Sequence, residues 1–285
     1  MDIDRICNNL ILGPDSIWYG SEHDSISYPD DGHSQCYSVE DDSFWFSHRN
    51  VCISTLIDRY PPLGGGPVFD IGGGNGVVAA HLQNLGIQVA LLEPGISGAR
   101  HARLRGIDLV ICATTHSAEF PPGSLPAVGL FDVVEHIEND LEFLSHIHDL
   151  LAPNGRLYAT VPAYQALWSQ EDDVAGHYRR YDAKSFCALL AAAGFRVECH
   201  SYIFRFLPLP IFLLRALPFK LFGTRQTKPG ATLQRDHAVK KGLVSRLIEK
   251  LLESEIDILK RGGSCSFGGS VVVVATKSPA DSSNR

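Results

Sequence analysis

Pro67-Val68-Phe69-Asp70-Ile71 runs straight into Gly72-Gly73-Gly74-Asn75-Gly76. A short apolar run before a glycine cluster reads as a strand, and Val77–Leu85 beyond it has helical spacing. Glycines let the backbone turn sharply and come close to a ligand. Strand, glycine turn and helix make the opening unit of an α/β sheet, in which ligands sit at the carboxyl ends of the strands.

The same alternation continues outward from this unit. Ile87–Leu92 is a second strand ending at Glu93, Ser97–Arg105 a helix, Leu109–Cys112 a third strand and Val128–Val134 a fourth. Ile137–Leu151 is an amphipathic helix closed by Pro153-Asn154-Gly155, and Leu157–Val161 is a fifth strand. Asp182 caps a helix carrying Phe186, Leu189 and Leu190; Phe195–Tyr202 and Ser270–Ala275 are strands six and seven. This order predicts a Rossmann-like α/β fold: a seven-stranded, mostly parallel sheet with helices on both faces. Strands six and seven are about sixty residues apart, far beyond an ordinary connection. That insert holds Phe206–Phe222 and an amphipathic helix near Leu243–Lys260. Upstream, Ser43–Phe46 opens a helical segment that runs to Tyr60.

These breaks divide the chain into an acidic leader or flap (1–42), a core (43–205), a lid-like or partner insert (206–263), the last core strand (264–277) and a tail (278–285). The chain has 285 residues and a formal net charge of −7. Ten acids and a single base, Arg5, fall in the leader, so the rest is close to neutral. No Lys/Arg-rich block stands out, which argues against a general nucleic-acid binder. The best membrane candidate, Phe206–Leu214 between Arg205 and Arg215, is far short of the ~20 residues a span needs. A surface-lying contact remains open. The seven cysteines form no C-x-x-C pair, which fits reduced thiols in a cytoplasmic protein.

The glycine turn admits two cofactor readings. Gly74-Asn75-Gly76-Val77-Val78-Ala79 fits the dinucleotide pattern G-x-G-x-x-G/A, and Glu93 follows Gly74 by nineteen residues. That reading makes the chain a nicotinamide-dependent oxidoreductase. The wider string decides otherwise: FDIGGGNG from Phe69, LLEPG from Leu91, GLFDVVEHI from Gly129 and LLAPNGRLYATVPAY from Leu150. In that order it resembles the class I S-adenosylmethionine-dependent methyltransferases, and among them the small-molecule branch that includes polyprenyl-hydroxybenzoate O-methyltransferases. The resemblance covers about 43–204 plus 264–277. It implies S-adenosyl-L-methionine as cofactor and a small-molecule acceptor, methylated most simply at oxygen. Asp70, Gly72, Gly74, Gly76, Glu93, Phe131 and Asp132 are the implied cofactor residues. Glu93 would grip the ribose hydroxyls. Where the family often has an acid after strand three, this chain reads Thr114-Thr115-His116-Ser117-Ala118, with Glu119 as the displaced candidate. A non-catalytic cofactor-binding scaffold is the rival from another class.

Methyl transfer asks the protein to align two reactants and, where needed, to take a proton from the acceptor. His136 and His177 are the candidate bases. Asp132, Glu135 and His136 share a face if a helix has begun there, and His177 would complete a mixed oxygen and nitrogen set for a divalent metal, through Glu135, His136 and His177. The D-x-x-E-H string with a later histidine resembles the metal-dependent small-RNA 2′-O-methyltransferases. The bland alternative is Glu135 pinned by Arg179 or Arg180. Tyr164, Trp168, Tyr178 and Tyr181 are the candidate acceptor-binding aromatics, suited to an apolar or lipid-linked molecule. The insert is also a candidate homodimer or peripheral membrane contact.

Overall fold

The computed structural model describes residues 7, 9–20, 37, 40, 43–223 and 243–278. A nine-stranded sheet forms its centre. Two short leader strands, β1 (Ile11–Leu12) and β2 (Trp18–Tyr19), make an antiparallel pair at one edge. The seven predicted strands follow as β3 (Val68–Ile71), β4 (Val89–Leu92), β5 (Val110–Cys112), β6 (Leu125–Phe131), β7 (Leu151–Pro162), β8 (Phe195–Ile203) and β9 (Ser270–Lys277). Their spatial order is β1-β2-β5-β4-β3-β6-β7-β9-β8. Neighbours from β2 to β7 run parallel, and β9 is antiparallel to both of its neighbours. The order reverses direction between β3 and β6, the switch point at which such sheets take their ligands.

Helices cover both faces. On one lie α1 (Phe44–Arg59), α2 (Val77–Asn84) and α3 (Ile96–Leu104); on the other, α4 (Asp140–Leu150) and α6 (Ala183–Ala192), with the short α5 (Gln170–Ala175) beyond the strand ends. Ser43 caps α1, its hydroxyl accepting from the Trp45 and Phe46 amides at 3.2 and 3.5 Å. Alternate residues of β3 feed opposite cores: Val68 belongs to the one that holds Cys52, Leu56 and Leu82, whereas Phe69 belongs to the one that holds Leu144, Ile147 and Phe186.

The fourth strand ends three residues earlier than its apolar run suggests. Asp132 takes a left-handed φ of 58°, which breaks the extended chain, and Val134–His136 closes a 3-10 turn. Pro153-Asn154-Gly155, expected to end a helix, instead lies within β7, with Asn154 at φ 63° beside a register shift against β6. Of the leader, the described residues lie on the domain: Ile17 is fully buried and Cys7 is buried. Residues 1–6, 8, 21–36, 38–39 and 41–42, which carry most of the expected flap, lie outside the described residues.

The insert begins with α7 (Pro208–Ile211), a π turn (Phe212–Ala216) and α8 (Leu217–Phe222). Pro218 has no amide to donate, and the Leu217 amide just before it reaches back five residues to the Phe212 carbonyl. Later comes α9 (Leu243–Lys260), packed along α1. No helix among the described residues is long and apolar enough to cross a membrane.

Candidate active site

The glycine turn at the end of β3 cannot be built from larger residues. Gly72 sits at φ 70°, and a Cβ there would meet Val133 at 2.9 Å. Gly76 starts α2 at φ 80°, with Ala102 only 3.0 Å from a virtual Cβ. Glu93, at the end of β4, is buried and accepts from the Gly74 amide at 2.9 Å and the Gly95 amide at 2.7 Å. Burial pushes its carboxyl up to about 7, against the pull of those two amides. Asp70 is buried too, and its Oδ2 has no hydrogen-bond partner. Burial lifts its carboxyl to about 7; Arg49 opposes the rise and Glu93 adds to it. Two buried carboxyls thus stand at the ends of neighbouring strands, and Asp70 Oδ2 is left with capacity to accept a hydrogen bond.

Asn75 ties this turn to the leader. Its amide nitrogen donates to Glu40 at 3.0 Å, Glu40 pairs with Arg105 at 2.7 Å, and His101 lies 2.9 Å from the Asn75 oxygen. The Tyr37 ring stacks on His101. Glu119 is exposed and bonded to Asn9 of the leader.

Arg49 is a residue the sequence reading missed. It reaches the strand ends from α1, where its guanidinium lies over the rings of Trp45 at 4.6 Å and Phe46 at 5.1 Å. It ion-pairs with Asp132, and its own Nε is buried without a partner. Thr160 donates to the other Asp132 oxygen at 3.0 Å. Phe131, at the end of β6, is buried in the core on the Arg49 side of the sheet. The one local signal for Arg49 was a cation inside the aromatic run Phe44-Trp45-Phe46-Ser47-His48-Arg49.

Beyond Asp132 a cavity of about 420 Å³ opens at the strand ends. Phe44, Trp45, Phe46, Pro162, Leu207 and Ile211 give it apolar walls, and Arg49, Asp132, Glu135, His136, His177 and Arg215 bring polar groups. One ligand atom each from Glu135, His136 and His177 lies within 4.8 Å of the others. The two histidine rings meet edge to face, 4.7 Å between centres. His177 is aimed by Asp172, whose Oδ1 sits 2.8 Å from Nδ1 and also takes Arg180 Nε at 2.7 Å. Burial, with His177 adding to it, pushes His136 down to about 4, so at neutral pH it is an uncharged imidazole. Glu135 is buried with Oε2 lacking a partner, and burial holds its carboxyl well above the usual range.

Three expectations need correction. Asp132 shares no helical face with Glu135 and His136, because its left-handed backbone turns it toward Arg49 and Thr160. Glu135 is not pinned by the nearby arginines: Arg179 pairs with Asp140 at 2.6 Å and Arg180 with Asp172. The predicted aromatics do not line the cavity. Tyr181 is buried in the core with its hydroxyl on Asp140, and Tyr164 stacks on Tyr202. Trp168 donates to Asp173, and Tyr178 is exposed.

The family model described as a methyltransferase domain matches residues 45–200. The chain belongs to that family. The match spans the glycine turn, Glu93, Asp132 and the two histidines, and it decides between the two cofactor readings that the turn alone leaves open. Among curated relatives, the chain is 26% identical over 164 residues to a "probable S-adenosylmethionine-dependent methyltransferase" of Mycolicibacterium smegmatis, covering 56% of this chain and 62% of the relative. It is 28% identical over 102 residues to the ubiquinone biosynthesis O-methyltransferase of Xanthomonas campestris pv. campestris, covering 34% and 43%. The matched stretch therefore spans less than two thirds of either relative. Among solved structures, a chain of the complex between the Haloferax volcanii Trm112 methyltransferase activator and a methyltransferase superposes with a TM-score of 0.54 at 15% identity, covering 87% of this chain and 95% of that one. Haemonchus contortus phosphoethanolamine N-methyltransferase 2, in complex with S-adenosyl-L-methionine, gives 0.53 at 17% identity, covering 90% and 59%. At these identities the likeness is one of fold: the class I methyltransferase architecture.

Proposed function

We propose that this methyltransferase moves a methyl group from S-adenosylmethionine to an oxygen of a small apolar or aromatic acceptor held in the 420 Å³ cavity. The observation that carries the reading is what flanks Asp132: on one side the tight glycine turn with the buried Asp70, whose Oδ2 has no partner, and on the other an apolar cavity with a histidine pair. Asp70 would take the amino group of the cofactor, Glu93 the ribose hydroxyls, and Gly72, Gly74 and Gly76 would form the wall, with Phe131 and Asp132 beside the methionine part. Arg49, already paired with Asp132, suits the cofactor carboxylate.

When bound, the sulfonium supplies the methyl carbon and leaves as a neutral thioether. The protein then has to exclude water, align the acceptor and take its proton. His177 suits that last task, because Asp172 holds Nδ1 and leaves Nε2 to accept. The ubiquinone-biosynthesis relative supports an oxygen acceptor. The free thiols of Cys7, Cys52, Cys112, Cys187, Cys199 and Cys265 suit a reducing compartment such as the cytoplasm. Isothermal titration tests the cofactor: S-adenosylhomocysteine should bind and NADH should not, and the reverse would end the proposal. Once an acceptor is found, His177→Ala should cost about a hundredfold in turnover with S-adenosylhomocysteine affinity unchanged. Unchanged turnover would remove His177 from the chemistry.

A second reading adds a divalent metal at Glu135, His136 and His177. It is favoured by their convergence, the unpartnered Glu135 oxygen and the Asp172 hydrogen bond behind His177, an arrangement common behind metal-binding imidazoles. Such an ion would polarise the acceptor oxygen. Titration of Mn²⁺ into EDTA-dialysed protein should give one site that Glu135→Gln abolishes; no heat from the unsubstituted protein would discard the metal and leave His177 acting alone.

A further inference from the structure

The helical run Pro208–Phe222 has two faces with different jobs. Leu207, Ile211 and Arg215, spaced four apart, turn inward and line the acceptor cavity. On the outer side stand Leu209, Leu213, Leu214, Leu221 and Phe222, with Leu214 76% and Phe222 74% exposed. A water-facing cluster of this size, presented by one helical run, costs solubility and calls for an occupant.

The charge nearby says what kind. The chain is acidic overall, yet 206–222 contains Arg215 and Lys220 and no acid. Arg215 faces Glu171 at 3.9 Å, so the outward cation of the run is Lys220, which is exposed and reaches the Ala166 carbonyl. The sequence that follows, 224–242, adds Arg225, Lys228, Arg235, Lys240 and Lys241 against Asp236 alone. Bulky apolar side chains flanked by spaced cations are the chemistry of a helix lying in the interface of an anionic bilayer. A second copy of this chain would set Lys220 and its apolar neighbours against the same groups with no acid of the run to answer the charge, which disfavours it.

We infer that the outer face of Pro208–Phe222 docks on an anionic membrane surface. The run lies flat, with Leu209, Leu213, Leu214, Leu221 and Phe222 among the acyl chains and Lys220 among the head groups. Because its inner side is a cavity wall, docking sets the cavity mouth against the lipid. An acceptor with a hydrocarbon tail can then enter without crossing water; this consequence for the substrate rests on the methyl-transfer reading, whereas the docking itself does not.

Vesicle flotation of the full chain tests the docking. The protein should float with phosphatidylcholine vesicles containing roughly one third phosphatidylserine, stay behind with phosphatidylcholine alone, and be released by salt. Leu214→Asp with Phe222→Asp should lower vesicle binding at least about tenfold, with melting temperature and S-adenosylhomocysteine titration unchanged. Neither residue lines the cavity. No flotation, or equal flotation of protein and double variant, overturns the inference. So does a dimer in analytical ultracentrifugation that the double substitution splits, since a second copy would then own the face. The S-adenosylhomocysteine titration is done without vesicles, so loss of the methyltransferase reading and loss of the docking reading are told apart.

Discussion

Asp70, Glu93 and Arg49 come from three places in the chain and feel one another's charge, and those charges decide what the site will hold. Two buried carboxyls shifted upward by burial invite a cationic partner; a buried guanidinium with a free Nε invites an anionic one. A zwitterionic amino acid beside a ribose satisfies all three. Arg49→Gln should therefore weaken S-adenosylhomocysteine at least about tenfold and leave 5′-methylthioadenosine, which lacks the amino acid, nearly untouched. Equal losses for both ligands would show Arg49 holding Asp132 in place and nothing more. The glycine turn and Glu93 were legible in the sequence because a sharp turn and a strand-end acid are local patterns. Arg49 was not, since its partner Asp132 lies 83 residues away. His136 and His177 were named from the sequence and do meet. Asp172, which aims His177, was hidden in Glu171-Asp172-Asp173, a run that reads as the solvated start of a helix.

Helices α1 and α9 are joined by a buried acid. Glu255, fully buried, accepts from the Phe204 amide at 2.8 Å and the Arg205 amide at 2.7 Å, and it faces His48 at 2.9 Å and the Arg205 guanidinium at 3.5 Å. Burial alone would raise its carboxyl, but the hydrogen bonds from His48 and the two amides hold it below the usual range. A carboxyl lowered by folding stabilises the fold at pH values above its unfolded range, and that share is lost as pH falls through the folded value. Glu255→Gln should therefore cost roughly 3 kcal/mol at neutral pH, read as a drop of several degrees in melting temperature, and the gap from the unsubstituted protein should shrink below about pH 4. A gap constant down to pH 3 would show that Glu255 is held without its charge. That α9 exists was legible from its amphipathic period. What it packs on was not, because an apolar stripe does not name its partner. The four predicted aromatics failed to reach the cavity for a similar reason. A position after a strand end fixes the neighbourhood and not the direction, and Tyr181 turned inward to Asp140.

At the scale of the molecule, alternating apolar runs were enough to foresee the seven core strands, since each strand buried on both faces reads as a continuous apolar segment. Strands β1 and β2 went unseen because two-residue strands carry no period; their pairing with each other, and that of β2 with β5, makes them strands. The placement of α1, the insert and the strand ends around one cavity emerges only when the chain closes. On the proposed reading it gives the molecule a crevice for the nucleoside and a chamber for the acceptor, separated by Asp132 and Arg49. Crystals soaked with S-adenosylhomocysteine test that division most directly. The ribose should lie in hydrogen-bond reach of Glu93, the amino acid part between Asp70 and Arg49, and the sulfur toward His177. An empty crevice, or a ligand whose sulfur points away from the cavity, would contradict it.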